Sequence, residues 1–222
     1  MSFIHLRVAS AFSMKYGTTQ PGDLVEQARE YAMPALALTD RATLSGAIRF
    51  AKACVANGVA PIIGINLPIE ITASDKSDKK APEQRVTVLA HGDGGWAHLV
   101  RLLTGLHINK GEGSTRITLE LLEKFSAHST HLHLLHGPQS PLSYELAAHR
   151  PERALDLFNA TREFFADHAI ECVSHLVAGN GPGSTAHAAR SLVFARDHDI
   201  DAVITNAVRM RSRSDGPIAD LL

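Results

Sequence analysis

The chain has 222 residues, 45% hydrophobic and only 5% aromatic, with a net charge of −1 and a pI of about 6.9. That length suffices for one core of Ala, Leu, Val and Ile, and the charge balance excludes the basic footprint that gripping DNA phosphates leaves. No stretch approaches the roughly 18 consecutive apolar residues of a membrane span, no signal segment opens the chain, and Cys54 and Cys172 read as buried thiols, so a single cytoplasmic domain without membrane contact is expected.

In chain order, Phe3 to Ser13 reads FIHLRVASAFS, followed by a turn at Gly17 and a helix from Pro21 to Tyr31. The apolar run Ala35 to Leu38 stops at Thr39 and Asp40, as a buried parallel strand does at its carboxyl end, where α/β folds place their chemistry. Leu44, Ile48, Ala51 and Val55 mark the apolar face of a helix that Asn57 and Gly58 close, and Ile62 to Ile65 is the next strand. Together they predict a βαβ unit.

A polar segment, Ser74 to Gln84, separates the apolar runs Ile62 to Ile71 and Val86 to Ala90 and reads as an exposed loop. Trp96, Leu99, Leu102 and Leu103 predict a helix after Gly94 and Gly95, and Gly111 to Thr115 reads as another loop. A short helix follows from Thr118, with Leu119, Leu121 and Leu122, and then a strand over Leu132 to Leu135. Leu142 to Asp167 predicts two helices meeting at His149 and Arg150, ahead of the expected strand Ala169 to Val173. The loop GNGPGS, Gly179 to Ser184, reads as a connection whose Ser184 caps a helix to Arg196, rather than as a phosphate cradle. A last strand, Ala202 to Thr205, and the start of a helix at Ile218, Leu221 and Leu222 complete the pattern. Alternating strands and helices predict an α/β fold with a parallel sheet, closed or nearly so.

Thirteen histidines are many for this length. Four cluster in AHSTHLHLLHG, as His128, His131, His133 and His136, and His131 with His133 would share one strand face. No carboxylate or cysteine lies within that segment, so it is read as a solvated face with Leu132 and Leu134 turned inward. Arg209, Arg211 and Arg213 are read as a solvated basic run.

The motifs FIHLRVASAFS and MPALALTDRATLSGAIRFAKACVANGVAPIIGI, with VTVLAHGDGGWAHLVRL and AVITNAVRM further on, resemble the PHP (polymerase and histidinol phosphatase) domain that opens bacterial DNA polymerase III alpha subunits and error-prone relatives. The resemblance implies an irregular seven-stranded (β/α) barrel related to the TIM barrel, and a parent DNA-directed DNA polymerase, a nucleotidyltransferase, of which this chain is a truncated N-terminal fragment. Active members hold three metal ions at the strand ends, mostly with histidines, for phosphoester hydrolysis.

The positions that match those ligands carry other residues. The paired histidines of the opening motif fall on Arg7 and Ala9, the histidine after Thr-Asp on Arg41, and the glutamate of the next strand on Asn66. The late aspartate and histidine fall on Ala207 and Arg209, a cysteine falls on Pro138, and His175 alone keeps its type. Arginine offers no lone pair and repels cations, and alanine and proline offer no donor. The expectation is a degenerate site without metal or cofactor, and a structural or docking role beside the rest of the polymerase and a proofreading exonuclease subunit, with DNA met only through the parent. The alternative is a Zn or Mn phosphoesterase or 3′ to 5′ exonuclease that uses Asp40, His133 and His175. Arg7, Arg41 and Arg209 could also convert a cation site into an anion site.

Overall fold

The computed structural model describes residues 3–71, 82–108, 116–126 and 129–221. Most of the Ser74 to Gln84 loop, all of Gly111 to Thr115, and His128 lie outside these residues. The chain divides into two compact units, 1–66 with 205–222, and 67–204.

In the first unit, helix α1 (Pro21–Glu30) begins on a proline, whose missing N–H has no intrahelical acceptor at that position, and buries Leu24, Val25 and Ala28. Strand β1 (Ala35–Leu38) is buried at all four positions. Helix α2 (Ala47–Asn57) ends on Gly58 at φ 67°, a left-handed cap that glycine adopts without Cβ strain. The first part of β2 (Ala60–Glu70) then pairs parallel with β1, Ala35 facing Ala60 and Leu38 facing Ile63, which makes the expected βαβ unit. Leu24, Val25, Leu36, Leu38, Phe50 and Cys54 form its core. The buried stripe of α2 differs from the expected one. Ala47, Phe50 and Cys54 face inward, while Ile48 and Val55 are 58% and 77% exposed. A 3-10 turn, Arg213–Asp215, leads into α8 (Gly216–Leu221).

The second unit contains the end of β2, then β3 (Arg85–Ala90), α3 (Gly92–Ile108), β4 (Ile117–Thr118), α4 (Leu119–Ser126) and β5 (Ser129–His136). It continues with α5 (Pro141–Ala147), α6 (Pro151–Arg162), β6 (Phe165–Cys172), α7 (Thr185–Asp197) and β7 (Asp201–Ile204). The hydrogen-bonded order is β2-β3-β5-β6-β7, with β4 on β2. Strands β5, β6 and β7 are mutually parallel, but β3 runs antiparallel to β5, so the sheet is mixed rather than the parallel one expected. Apolar periodicity fixes which face of a strand is buried and carries no sign for its direction.

Two boundaries also move. The helical reading to Asp167 overruns, because α6 stops at Arg162 and β6 already starts at Phe165. The chain does break between α5 and α6, at His149, which takes φ 59°, and at Arg150, which the following Pro151 keeps out of the helical region. Ser184 caps α7, its Oγ accepting the His187 N–H at 3.1 Å.

Candidate functional site

Four short segments of the first unit converge where β1 ends. The extended stretch before Ser10 lies along β1, with the Ala37 N–H donating to the His5 carbonyl at 3.0 Å and the Thr39 N–H to the Val8 carbonyl at 2.8 Å. On its other side it pairs with the late segment, through the Ala9 N–H to the Val208 carbonyl at 2.8 Å and the Val208 N–H to the Arg7 carbonyl at 2.9 Å. The Asn66 N–H donates to the Asp40 carbonyl at 3.0 Å, and the Ala42 N–H returns to the Asn66 carbonyl at 3.0 Å. Period-two alternation puts Arg7 and Ala9 on one face. As a result Arg7, Ala9, Arg41, Asn66 and Ala207 surround one cavity of about 10 Å³, together with Tyr16 and Thr39.

Arg41 lines that space together with Tyr16. Its guanidinium carbon lies 3.3 Å from the centre of the Tyr16 ring, a stacked cation–π contact, and that of Arg209 lies 5.7 Å from the same ring. Arg209 also reaches Asp220 at 3.4 Å. Ala207 stands at φ 45°, a region where Asp and Asn are far commoner than Ala.

Asp40 is 2% exposed, and both its oxygens are engaged. Oδ1 accepts the Ser10 N–H at 2.7 Å and the Ser13 hydroxyl at 2.7 Å, while Oδ2 accepts the Ser10 hydroxyl at 2.8 Å. Ser13 Oγ in turn accepts the Arg41 N–H at 2.9 Å. Asp40 therefore latches the loop that carries Tyr16 onto the end of β1. Burial pushes its carboxyl pKa above the ordinary range, against the pull of the Ser13 and Ser10 hydrogen bonds. Gly17 closes the loop, and only glycine fits there: a Cβ would stand 2.1 Å from the Ser10 carbonyl oxygen.

The remaining sequence-derived positions belong to the second unit. Pro138 is buried in the turn after β5. His175 is exposed, and its backbone N–H donates to the Gly183 carbonyl at 2.9 Å. His133 Nδ1 lies 2.9 Å from an oxygen of Asp167. The parallel register of β5 with β6 places that carboxylate opposite His133, so the histidine run does have an acidic neighbour, supplied from 34 positions along the chain. Among the described residues, no group of three or more His, Cys, Asp or Glu side chains converges as metal ligands. Cys54 and Cys172 are free and buried, and burial pushes both thiols up to about 11, far from a nucleophile's range.

Sequence reasoning missed Tyr16, Ser10, Ser13 and Asp167. Ser10 and Ser13 lie in the opening motif, and their spacing before a strand-end Asp was a usable signal. Nothing local marked Tyr16 or Asp167.

The model of the PHP domain family matches residues 5–175. The chain belongs to the PHP domain family. Among its relatives, the error-prone DNA polymerase of Symbiobacterium thermophilum is 38% identical over 115 residues, which are 52% of this chain and 10% of that protein. The DNA polymerase III subunit alpha of Caulobacter vibrioides is 30% identical over 209 residues, 93% of this chain and 18% of the relative. This PHP domain thus spans a small part of the polymerases it matches. An amidohydrolase from Chromobacterium violaceum, solved with bound sulfate and no metal, shares the fold at a TM-score of 0.60 and 14% identity, over 94% of this chain and 88% of that one. No described helix is long and apolar enough to cross a membrane.

Proposed function

We propose that this chain is the PHP domain of a cytoplasmic bacterial DNA polymerase of the DNA polymerase III alpha or error-prone type, and that it acts there as a scaffold rather than as a phosphoesterase. On this reading the fold is completed as an irregular seven-stranded barrel in one domain. Its partners are the rest of the polymerase chain and a proofreading exonuclease subunit, and DNA is met only through the parent. The family and the polymerase relatives support the context.

One observation carries the inert site: the cavity ringed by Arg7, Ala9, Arg41, Asn66 and Ala207 measures about 10 Å³. Such a volume holds about one water molecule, whereas neighbouring ions of a multi-metal site stand about 3.5–4 Å apart. The side chains present also do not fit such a cluster, since guanidinium and methyl groups donate no lone pair and the Asn66 amide brings no charge. On this reading the Arg41 guanidinium, stacked on Tyr16, sets a positive charge at a position that matches a metal ligand in the family, which supports the loss of the ions. Arg209, at the matching late position, lies beside the same ring and pairs with Asp220.

Neither alternative gains an observation. A catalytic Asp40 would have to release the three hydrogen bonds it accepts from Ser10 and Ser13. An anion among Arg7, Arg41 and Arg209 would have to displace Tyr16 to find room. The test is metal analysis of the purified chain after exposure to Mn2+ or Zn2+ and desalting. Fewer than two retained ions per chain is expected, and two or more would refute the reading.

A further inference from the structure

The histidines that the scaffold reading leaves unused lie on and beside β5. Alternation along this strand buries Leu132 and Leu134 and leaves His131 and His133 partly exposed on the opposite face. His133 is flanked by Leu89 of β3 on one side and Asp167 of β6 on the other. Nδ1 of His133 lies 2.9 Å from an oxygen of the Asp167 carboxylate, which makes Nε2 the ring nitrogen left for a metal ion and sets beside the imidazole the kind of carboxylate that orients metal-binding histidines.

His91 supplies the second nitrogen. It follows β3 directly, is exposed, and is held to β5 by its N–H donating to the His131 carbonyl at 2.7 Å. Its ring centre lies 5.3 Å from that of His133, with the planes at 83°. Two imidazoles sharing an ion about 2.1 Å from each nitrogen have ring centres about 5 Å apart, and the broad χ2 torsion of an exposed histidine covers the remaining adjustment. The glycines that open α3 keep this corner compact: a Cβ on Gly94 would come within 2.6 Å of the His131 ring.

We propose that His91 and His133, the latter oriented by Asp167, bind one divalent transition-metal ion of the imidazole-preferring class, such as Zn2+, Ni2+ or Cu2+. Water completes the shell, because no three donors converge among the described residues. The site lies wholly in the second unit, so its failure would leave the reading of the first unit untouched.

Titration of Zn2+ into the full chain by calorimetry tests the proposal. One reversible site is expected. His91→Gln and His133→Gln should each weaken it at least tenfold, and Asp167→Asn should weaken it about tenfold with the stoichiometry kept. His98→Gln is the control that leaves it unchanged, although its ring lies 5.9 Å from that of His131. Circular dichroism checks that each variant is folded. On the unsubstituted chain, bound Cu2+ should show paramagnetic coupling to two imidazole nitrogens. Absence of binding, equal binding by the His91 and His133 variants, or a copper spectrum without nitrogen coupling would each overturn the proposal.

Discussion

Asp40→Ala separates a latch from a ligand. The substitution removes the acceptor of the Ser10 N–H, the Ser10 hydroxyl and the Ser13 hydroxyl, and both serines are 0% exposed. A buried donor left without an acceptor costs about 1–3 kcal/mol, and three donors lose theirs together here, so roughly 3–5 kcal/mol of stability should be lost. That is a large share of the roughly 5–15 kcal/mol by which a domain is stable. The loop would also loosen under Tyr16 and release the stack with Arg41. Urea unfolding followed by circular dichroism, without added metal, gives the number. A carboxylate kept buried only for a metal would leave the opposite sign, since replacing an uncompensated buried charge stabilises the metal-free chain. An Asp40→Ala variant as stable as the parent, or more stable, would refute the latch.

Further outcomes follow from the same geometry. His136 is 1% exposed, and burial, helped by the neighbouring His168, pushes its pKa down to about 3 from 6.5. The unfolded chain then takes the proton first, so this contribution to stability is complete above about pH 6.5 and drains at up to about 1.4 kcal/mol per pH unit as the pH falls toward 3. His136→Leu should flatten that slope in urea unfolding between pH 4 and 7. Asp40 has the opposite sign: its raised folded pKa gives a contribution present below its unfolded value of 3.8 and lost as the pH rises through the folded value, and Asp40→Asn should abolish that slope. Gly17→Ala must push its Cβ away from the Ser10 carbonyl and should cost about 2–3 kcal/mol. Gly22→Ala in the first turn of α1 meets nothing within 4 Å and should instead stabilise by up to about 1 kcal/mol, both read from denaturation midpoints.

The βαβ unit was legible because each of its signals is local: an apolar run ending at Thr39 and Asp40, a helical period, and a glycine able to take the left-handed cap at position 58. The buried face of α2 was not legible, because two apolar stripes overlap on that helix. Leu44, Ile48, Ala51 and Val55 fit the period as well as Ala47, Phe50 and Cys54, and packing in the first unit's core chose the second set. The antiparallel direction of β3 and the meeting of His133 with Asp167 depend on pairings between distant segments, which no local period records. The convergence of Arg7, Ala9, Arg41, Asn66 and Ala207 was reached only through the family resemblance, which aligned residues far apart in the chain. Tyr16, the ring that Arg41 covers, lay outside those aligned positions, and a single aromatic residue in a polar turn carries no sign of its partner.

The most direct measurement is turnover. The purified chain, supplied with Mn2+ or Zn2+, is assayed on a small phosphodiester and on single-stranded DNA with a free 3′ end. The scaffold account predicts no hydrolysis above the metal-only blank, and metal-dependent hydrolysis that disappears in Asp40→Ala or His175→Ala would contradict it.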